Sequence, residues 1–502
     1  MERENFPEKQ LFSTVGESEA RKRALALFSQ TLCACWLCAC WLGTLFYAGA
    51  IMTKQSLACF KAYDIRGRVP QDFNLELVRE IGLAFVAEFS LKNVCIGYDM
   101  RQTSKDFSLV LANALEDAGA NVTNIGLCGT EEVYHATFSQ GFDGGIMITA
   151  SHNPVDWNGM KLVLAEARPV SSDTGLLAIQ DRVLAGDFPI AIKPGITKFQ
   201  SFRSEFVEHL LGCLGDKDKL APLRIVANAG NGCAWLPVQE LAKQLPCEII
   251  PVFETPDGTF PNGVPNPLLP ENREVTSKAV IKHKADVGLA WDGDFDRCFF
   301  FDEKGRFIDG YYLVGLLAQT LLRRHKGASI IHDPRLIWNT QDIVQEEGGR
   351  AVQCKSGHAF INERMRQENA LYGGEMSAHH YFKDFGFCDS GMLAWLLVYE
   401  LMSDTGKPLS ELVDERIALY PASGEINRTL TDPDKCIAAI LERYESEALS
   451  VDRMDGVSLE FADWRFNLRK SNTEPVIRLN VASRGDIALM QAKTKEVLVL
   501  ME

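Results

Sequence analysis

The sequence lacks any run of basic residues that would neutralise a row of nucleic-acid phosphates, and its 67 acidic residues outnumber its 52 basic ones. We therefore expect no nucleic-acid partner. It also lacks the extreme compositions of disordered, collagen-like or polytopic membrane chains, since 46% of its residues are hydrophobic and 24% are charged. A small anionic ligand is compatible with this charge, because a few Arg and Lys side chains in one cleft set the local potential.

Most of the fourteen cysteines also lack a functional pattern. Ten of them are scattered without C-x-x-C pairs or zinc-ligand spacing. The other four lie in one apolar run near the N-terminus, at Cys33, Cys35, Cys38 and Cys40. We expect reduced, mostly structural thiols, as is typical of a cytoplasmic protein.

Residues 1–51 differ from the rest of the chain. A basic cluster at 21–23 precedes about thirty uncharged residues, and Leu32–Ile51 is long enough to span a bilayer, as a signal peptide or an anchor would be. Met52 offers a second start, and the globular pattern begins directly after it. We expect 1–51 to be an apolar extension outside the folded protein, and no membrane association unless this segment is retained.

With 502 residues, the chain is too long for one hydrophobic core, so several domains are expected. Short β-rich runs alternate with amphipathic helical stretches at 93–98, 105–118, 121–127 and 131–140. The alternation predicts βαβ units with mixed or parallel sheets, and it recurs at 223–254 and 328–373. Between them, Pro251–Pro270 holds six prolines, which indicates a binding loop or a seam.

The pattern changes after Pro421. A helix is expected at 432–449, strands near 457–461 and 476–481, and a closing helix from Ile487, which together are typical of an α+β domain. The predicted limits are 1–51 for the extension, 52–190, 191–299 and 300–405 for three α/β domains, and 406–502 for the last.

The first polar motif is Thr149-Ala150-Ser151-His152-Asn153-Pro154, between the apolar strand 145–148 and a second strand at 160–164. A hydroxyl at the end of a buried strand, in a turn that contains Asn and Pro, is held rigidly beside a cleft. Ser151 is therefore either a nucleophile or phosphate carrier, or an ordinary turn serine. No G-x-S-x-G elbow surrounds it, and adjacency alone does not make His152 its base, so a hydrolase triad is not expected.

The second motif places three carboxylates at alternate positions, Asp292, Asp294 and Asp296, after the strand 286–291. Such carboxylates repel one another unless a hard cation lies among them, which favours Mg²⁺. The alternatives are a solvated acidic loop and a Ca²⁺-binding EF-hand. Glu303 falls at the twelfth position of an EF-hand loop, but Arg297 occupies the sixth position, where that loop requires Gly.

Two further motifs are polar loops. Gly374-Glu375-Met376-Ser377-Ala378-His379-His380 offers groups that suit sugar hydroxyls, and Arg469-Lys470-Ser471-Asn472-Thr473-Glu474-Pro475 joins two cations to short hydrogen-bond donors, as a site for a phosphate dianion does. Each motif alone is weak, because polar loops are common.

Taken together, in this order and on four successive domains, the four motifs resemble the α-D-phosphohexomutase superfamily, and within it the bacterial phosphomannomutases. The resemblance covers essentially all of 56–502 and excludes the N-terminal segment. It implies three similar α/β mixed-sheet domains and a C-terminal α+β domain around a central cleft. One departure is Ala378, where relatives that accept both glucose and mannose commonly have Gly.

The resemblance also implies roles for individual residues. Phosphorylated Ser151, Arg66 of the motif Tyr63–Gly67, Lys161 and His379 would be catalytic, and Ser151 would join the three aspartates as metal ligands. The residues expected to bind substrate are Arg297, His358, Glu375, Ser377, Arg469, Ser471, Asn472 and Thr473.

The activity implied is the Mg²⁺-dependent interconversion of mannose 6-phosphate and mannose 1-phosphate, with a hexose 1,6-bisphosphate as intermediate and activator. The product would enter GDP-mannose and polysaccharide synthesis. A phosphoglucomutase, a dual-specificity mutase, a phosphatase and a non-catalytic sugar-phosphate binding protein are the alternatives. We expect a monomer or small homo-oligomer.

Overall fold

The computed structural model describes residues 57–188, 190–470 and 476–501. The predicted extension at 1–51 and the predicted phosphate ligands Ser471, Asn472 and Thr473 lie outside the described residues. Within the described part of the chain, no helix combines the length and the apolar character needed to cross a membrane.

The first domain is a seven-stranded mixed sheet covered by helices. Its elements are β1 Ile65–Arg68, α1 Leu75–Phe89, β2 Asn93–Tyr98, α2 Ser104–Asp117, β3 Asn121–Leu127, α3 Thr130–Ser139, β4 Gly144–Ile148, β5 Trp157–Leu164, β6 Arg168–Pro169, α4 Leu177–Ala185 and β7 Thr197–Phe199. The strand order is β1-β5-β4-β2-β3-β7, with β6 against β5. Strand β4 and residues 94–97 of β2 are apolar and buried, as expected of strands that are covered on both faces.

The second and third domains each contain a four-stranded sheet. The second comprises α5 Arg203–Gly212, β8 Arg224–Asn228, α6 Trp235–Ala242, β9 Glu248–Val252, α7 Glu274–His283, β10 Val287–Trp291 and β11 Cys298–Asp302. The third comprises α8 Gly310–Arg324, β12 Ser329–His332, α9 Trp338–Glu346, β13 Arg350–Gln353, α10 His358–Glu368, β14 Tyr372–Gly374, β15 His380–Phe382, α11 Gly391–Thr405 and α12 Leu409–Leu419.

The same four-strand plan occurs in all three sheets. The four strands are β2–β5 in the first domain, β8–β11 in the second and β12–β15 in the third. In each set, the first strand pairs in parallel with the second and the third, and the third forms an antiparallel hairpin with the fourth. The hairpins are β4–β5, β10–β11 and β14–β15. Three of the polar motifs are the turns of these hairpins, so each motif lies at the carboxyl end of the third strand of its sheet.

The last domain is a five-stranded antiparallel sheet with two helices. Its elements are β16 Ala422–Thr429, α13 Pro433–Tyr444, β17 Ser450–Asp452, β18 Val457–Glu460, β19 Trp464–Lys470, β20 Val476–Ser483 and α14 Ile487–Val499. The helix expected over 432–449 ends at Tyr444, and β19 was not predicted. Thus Arg469 and Lys470 end a strand that pairs with β20.

The fold class predicted from the motifs, three α/β domains and one α+β domain, is confirmed. The domain limits stay a prediction. The largest apolar core runs through the second and third domains and includes Met100 and Tyr134 of the first; of the described residues in the last domain, only Ala482 is one of its buried members. The last domain has a core of its own around Tyr444 and Phe466.

Candidate active site

Ser151 lies in the β4–β5 turn, with its side chain aimed at the neighbouring domain. Its backbone is left-handed, with φ of 48°, and its N–H donates to Thr149 Oγ1 at 2.8 Å. The Ser151 hydroxyl donates to Asp292 Oδ2 at 2.9 Å, although the two residues are 141 positions apart. The serine motif and the aspartate motif therefore form one site between two domains.

His152 lies against the same serine, which adjacency in the sequence does not require. Its Nδ1 is 3.0 Å from Ser151 Oγ and also contacts the Arg297 guanidinium. Burial, then Arg297, lowers the pKa of His152 well below its usual value. Arg297 in turn donates to Asp292 Oδ2 at 2.8 Å through Nε, so one cation steadies both loops.

Asp292, Asp294 and Asp296 are at most 2% exposed, and each offers an oxygen within 4.8 Å of those of the others. Asp294 Oδ1 and Asp296 Oδ1 are buried without a hydrogen-bond partner among the described residues. Buried, unpaired carboxylate oxygens in close proximity fit a divalent cation. A solvated loop is excluded by this burial, and an EF-hand by the β10–β11 hairpin around the triad; Glu303 instead accepts from Ser410 N at 3.2 Å.

Lys161 of β5 faces the triad from the first domain. Its ammonium donates to Asp294 Oδ2 at 2.7 Å and contacts Asp296. Burial lowers the pKa of Lys161, but the two carboxylates outweigh it and raise the pKa above its usual value. For Asp296, burial and the adjacent Asp294 raise the pKa. The lysine is therefore a fixed positive charge beside the metal-binding triad.

Thr130, which the sequence did not single out, ties the same triad to the first domain. Its hydroxyl donates to Asp294 Oδ2 at 2.6 Å and its N–H to the Asp294 carbonyl at 3.1 Å. The preceding Gly129 leaves room for the Phe295 ring, since a Cβ there would lie 2.1 Å from it. The start of α3 is thus shaped to receive the aspartate turn.

Arg66 reaches the serine turn from β1. Its Nη1 donates to Asn153 Oδ1 at 2.7 Å, and its Nε donates to Asp64 Oδ2 at 2.8 Å. The predicted residues Arg66, Ser151, Lys161 and Arg297 are therefore brought together with the three aspartates.

The β14–β15 turn holds Glu375 in a buried position. Its Oε1 accepts from Gly357 N and its Oε2 from the Tyr381 hydroxyl, both at 2.7 Å. Ala378 has a left-handed φ of 69°, the conformation that favours Gly at this position. Ser377 and Ala378 line a cavity of about 690 Å³ beside this turn.

The two adjacent histidines differ. His379 Nδ1 lies 2.7 Å from Asp389 Oδ2, and Asp389 was not singled out from the sequence. Burial lowers the pKa of His379, but the hydrogen bond to Asp389 outweighs it, so the pKa lies above its usual value. His380 is fully buried and bonded to the Tyr372 hydroxyl at 2.8 Å, which indicates a structural role.

The last domain approaches through Arg469, whose Nη1 donates to Asp455 Oδ2 at 3.0 Å. The same carboxylate oxygen accepts from Ser356 N of the third domain at 3.3 Å. Nearby, the ring of His358 lies edge-on to Tyr63, with 5.0 Å between centroids, and burial lowers its pKa to about 4. Arg469 and His358 therefore lie near the cleft, whereas Ser471, Asn472 and Thr473 fall outside the described residues.

Family models for the phosphoglucomutase/phosphomannomutase domains match the chain in four stretches. Alpha/beta/alpha domain I matches 58–189, domain II matches 204–305, domain III matches 309–420, and the C-terminal domain matches 425–498. The order is the one that the four motifs indicate.

Individual relatives and a solved structure are similar to this chain over nearly its whole folded part. A phosphomannomutase of Salmonella typhimurium is 56% identical over 457 residues, 90% of this chain and all of that protein. A protein named phosphohexose mutases from Xanthomonas campestris is 54% identical over 447 residues, 89% of this chain and 99% of its own. A crystal structure of a phosphoglucomutase/phosphomannomutase family protein from Burkholderia thailandensis superposes with a TM-score of 0.79, at 30% identity, over 89% of this chain and 98% of that one. The chain therefore belongs to the phosphoglucomutase/phosphomannomutase family.

Proposed function

We propose that the protein is a phosphomannomutase, an isomerase that interconverts mannose 6-phosphate and mannose 1-phosphate through phosphorylated Ser151. The observation that carries the proposal is the contact between the Ser151 hydroxyl and Asp292 at 2.9 Å, inside a buried triad flanked by cations. Relatives that are more than 50% identical over nearly their full length carry the name phosphomannomutase, which favours mannose.

The triad and the Ser151 oxygen would hold Mg²⁺. The unpaired oxygens of Asp294 and Asp296 support this, since all-oxygen donors suit that ion. When bound, the ion neutralises charge on the phosphoryl oxygens. Residues of the chain itself supply the rest of the positive potential: Arg66 and Arg297 lie against the serine turn, and Lys161 against the aspartates.

In the first transfer, the bond between phosphorus and Ser151 Oγ breaks while a bond forms between phosphorus and the 1-hydroxyl oxygen of mannose 6-phosphate. The products are mannose 1,6-bisphosphate and free Ser151. In the second transfer, the bond between phosphorus and the sugar O6 breaks while a bond forms between phosphorus and Ser151 Oγ. The serine hydroxyl loses its proton, O6 gains one, and mannose 1-phosphate leaves. Such transfers depend mainly on alignment and on charge neutralisation.

The attacking hydroxyl must lose its proton, and His379 suits this task better than Lys161. Asp389 engages Nδ1 of His379, which leaves Nε2 available to the substrate. The Lys161 ammonium is bonded to two carboxylates, which keep it protonated. Lys161 would therefore act as a fixed charge.

The bisphosphate must present both ends to Ser151, so a second site must hold whichever phosphate is idle. Arg469, with Ser471, Asn472 and Thr473, is the proposed site, while Glu375, Ser377 and His358 bind the sugar. Closure of the last domain over this cleft would exclude water and protect the phosphoserine from hydrolysis. Its separate core supports such an arrangement.

The finer assignments follow from this proposal. The activator is a hexose 1,6-bisphosphate that rephosphorylates Ser151, and the product enters GDP-mannose and polysaccharide synthesis. The protein is located in the cytoplasm, as a monomer or small homo-oligomer.

The second candidate is a glucose or dual-specificity mutase. A relative of 54% identity carries the name phosphohexose mutases, which supports this second candidate.

Phosphorus NMR tests the proposal. The chain is incubated with Mg²⁺, a trace of glucose 1,6-bisphosphate, and either mannose 6-phosphate or glucose 6-phosphate, beside the Ser151→Ala variant. We expect the 1-phosphate to form faster from mannose 6-phosphate and not at all in the variant. Release of inorganic phosphate would indicate a phosphatase, and no change would indicate a binding protein.

A further inference from the structure

Arg101 lies beneath the serine turn, in the segment between β2 and α2. Its side chain is almost fully buried and points into the concave side of the turn. Nη2 donates to the carbonyl oxygens of Ser151 at 2.8 Å and Asn153 at 2.6 Å. Nη1 donates to those of Pro154 at 2.7 Å and Trp157 at 2.8 Å. One guanidinium therefore satisfies four backbone carbonyls between residues 151 and 157.

The guanidinium is itself held from both sides. Asp99 Oδ1 accepts from the Arg101 N–H at 2.9 Å and from the Ser104 hydroxyl at 2.6 Å, and Asp99 Oδ2 lies 3.5 Å from Arg101 Nε. On the other side, the ring centroid of Phe260 in the second domain lies 5.2 Å from the guanidinium carbon. Phe260 belongs to the proline-rich stretch 251–270, so this stretch forms a seam over the arginine.

The turn needs a cation at this point. Four carbonyl dipoles that converge in a buried space repel one another and would be costly to leave unpaired. Water is a weak substitute, because a planar guanidinium presents its N–H groups in fixed directions. Ser151 also adopts a left-handed φ of 48°, which is unfavourable for a residue with a side chain unless its surroundings impose it.

We infer that Arg101 is the positioning residue of the serine turn, which sets the location and direction of Ser151 Oγ for phosphoryl transfer. This inference rests on the proposed role of Ser151. Arg101 touches no reacting atom. It acts through the carbonyl oxygen of Ser151, which is three bonds from Cβ, the atom that carries the serine hydroxyl. Arg66 and Arg297, by contrast, present their guanidinium groups to side chains of the site.

Arg101→Ala and Arg101→Lys test this inference. We expect phosphorylation of Ser151 by glucose 1,6-bisphosphate, followed by intact-protein mass spectrometry, to slow about 100-fold in both variants, since small misplacements of reacting groups have such effects. The KM for mannose 6-phosphate should change little, because Arg469 and the sugar turn are untouched. Added guanidinium ion should restore part of the rate to Arg101→Ala, and methylammonium should not.

Arg465→Ala is the matched control. Arg465 is as buried as Arg101, and it also donates to backbone carbonyls, but to those of Pro334 and Arg335 in the third domain and not to those of the serine turn. Its loss should lower the melting temperature without slowing phosphorylation. Hydrogen exchange of the peptide 149–157 reports the turn independently of catalysis, and it should increase in both Arg101 variants and not in the control.

The outcomes separate the two proposals. A wild-type chain that is never phosphorylated at Ser151 would contradict the proposed function. A phosphorylated wild type whose Arg101 variants keep its phosphorylation rate, or keep its exchange at 149–157, would overturn the role of Arg101. If Arg101→Ala does not fold, the same two measurements on Arg101→Lys decide.

Discussion

The serine and aspartate turns differ from the last domain in how they are held. Direct bonds between side chains of low exposure connect the first domain to the aspartate turn, as between Ser151 and Asp292 and between Thr130 and Asp294. The last domain is bonded to the third through the Arg335–Glu425 ion pair and through Arg465, which donates to the Pro334 carbonyl. At the cleft, Arg469 forms a part-buried ion pair with Asp455 of its own domain, and Asp455 accepts a hydrogen bond from the Ser356 N–H of the third domain. Its apolar core is also separate from the core that runs through the second and third domains, as is the main core of the first domain.

This difference matches the two tasks of a mutase. The reacting phosphoryl group always meets the same serine, so the groups around it gain from fixed positions. The idle phosphate is carried by either end of the sugar, so its site must accept two substrate orientations. We therefore expect changes at the first region to reduce kcat, and changes at the second to raise KM.

Asp296→Asn should have the largest effect, because it removes one carboxylate from the fixed region. We expect kcat to fall about 1000-fold, as when a major electrostatic contact to the transition state is removed. The fall is measured by the phosphorus NMR assay at saturating mannose 6-phosphate. A fall in kcat/KM caused by KM alone would contradict the division between the two regions.

The same variant makes a prediction about stability in the metal-free protein. Burial and Asp294 raise the pKa of Asp296, so its stabilising contribution is present at low pH and is lost as the pH rises through the raised pKa. The melting temperature of the wild type in EDTA should therefore fall from about pH 4 to about pH 7, and Asp296→Asn should reduce that fall. An equal fall in both proteins would contradict the assigned direction.

Asp389→Asn should reduce kcat about 100-fold, since it weakens the hold on the proposed general base. Asp389 raises the pKa of His379, and the base works when it is deprotonated. Without that charge, the pKa of His379 falls and the acidic limb of the kcat/KM profile moves to lower pH. The profile is measured against wild type; an unmoved limb would exclude His379 as the titrating base.

Arg469→Ala belongs to the second region and should raise the KM for mannose 6-phosphate about tenfold, because a charged contact to the idle phosphate is lost. Ser151 should remain phosphorylated. Arg443→Ala is the control, since Arg443 pairs with Glu447 on the exposed side of the same domain. An unchanged KM in Arg469→Ala would count against this role.

Asp455→Asn should have the smallest effect, with KM raised about threefold, since part-buried ion pairs that only orient a ligand contribute modestly. The variant weakens the hold on Arg469 and the bond to Ser356 N. A loss of kcat larger than that in Asp389→Asn would mean that the last domain also aligns the reacting groups.

The sequence allowed the serine and aspartate turns to be recognised because each follows an apolar strand, β4 or β10. The strands at 93–98 and 121–127 were predicted with the bounds observed. Strand β19 was missed although Arg465 and Asn467 alternate with Trp464, Phe466 and Leu468, a pattern typical of a strand. The alternation was available as a signal, but the polar face is also buried, with Arg465 bonded to carbonyls of another domain.

The supporting residues of the site could not be found in the same way. Asp389 lies 10 residues from His379 and Thr130 lies 164 from Asp294, and neither pair follows a periodicity or a motif. Such pairs are set by the packing of separate elements, which local patterns do not encode. Arg101 is a similar case, because its partners are backbone carbonyls, which carry no sequence signal.

The central claim is that the phosphoryl group on Ser151 passes directly to the sugar. The most direct measurement is a single-turnover experiment in which the wild-type chain carries ³²P on Ser151 and is mixed with unlabelled mannose 6-phosphate in excess, then quenched at successive times. We expect the label to leave the protein and to appear first in a hexose bisphosphate and then in hexose monophosphate. Label that appears as inorganic phosphate, or stays on the protein while product forms, would contradict it.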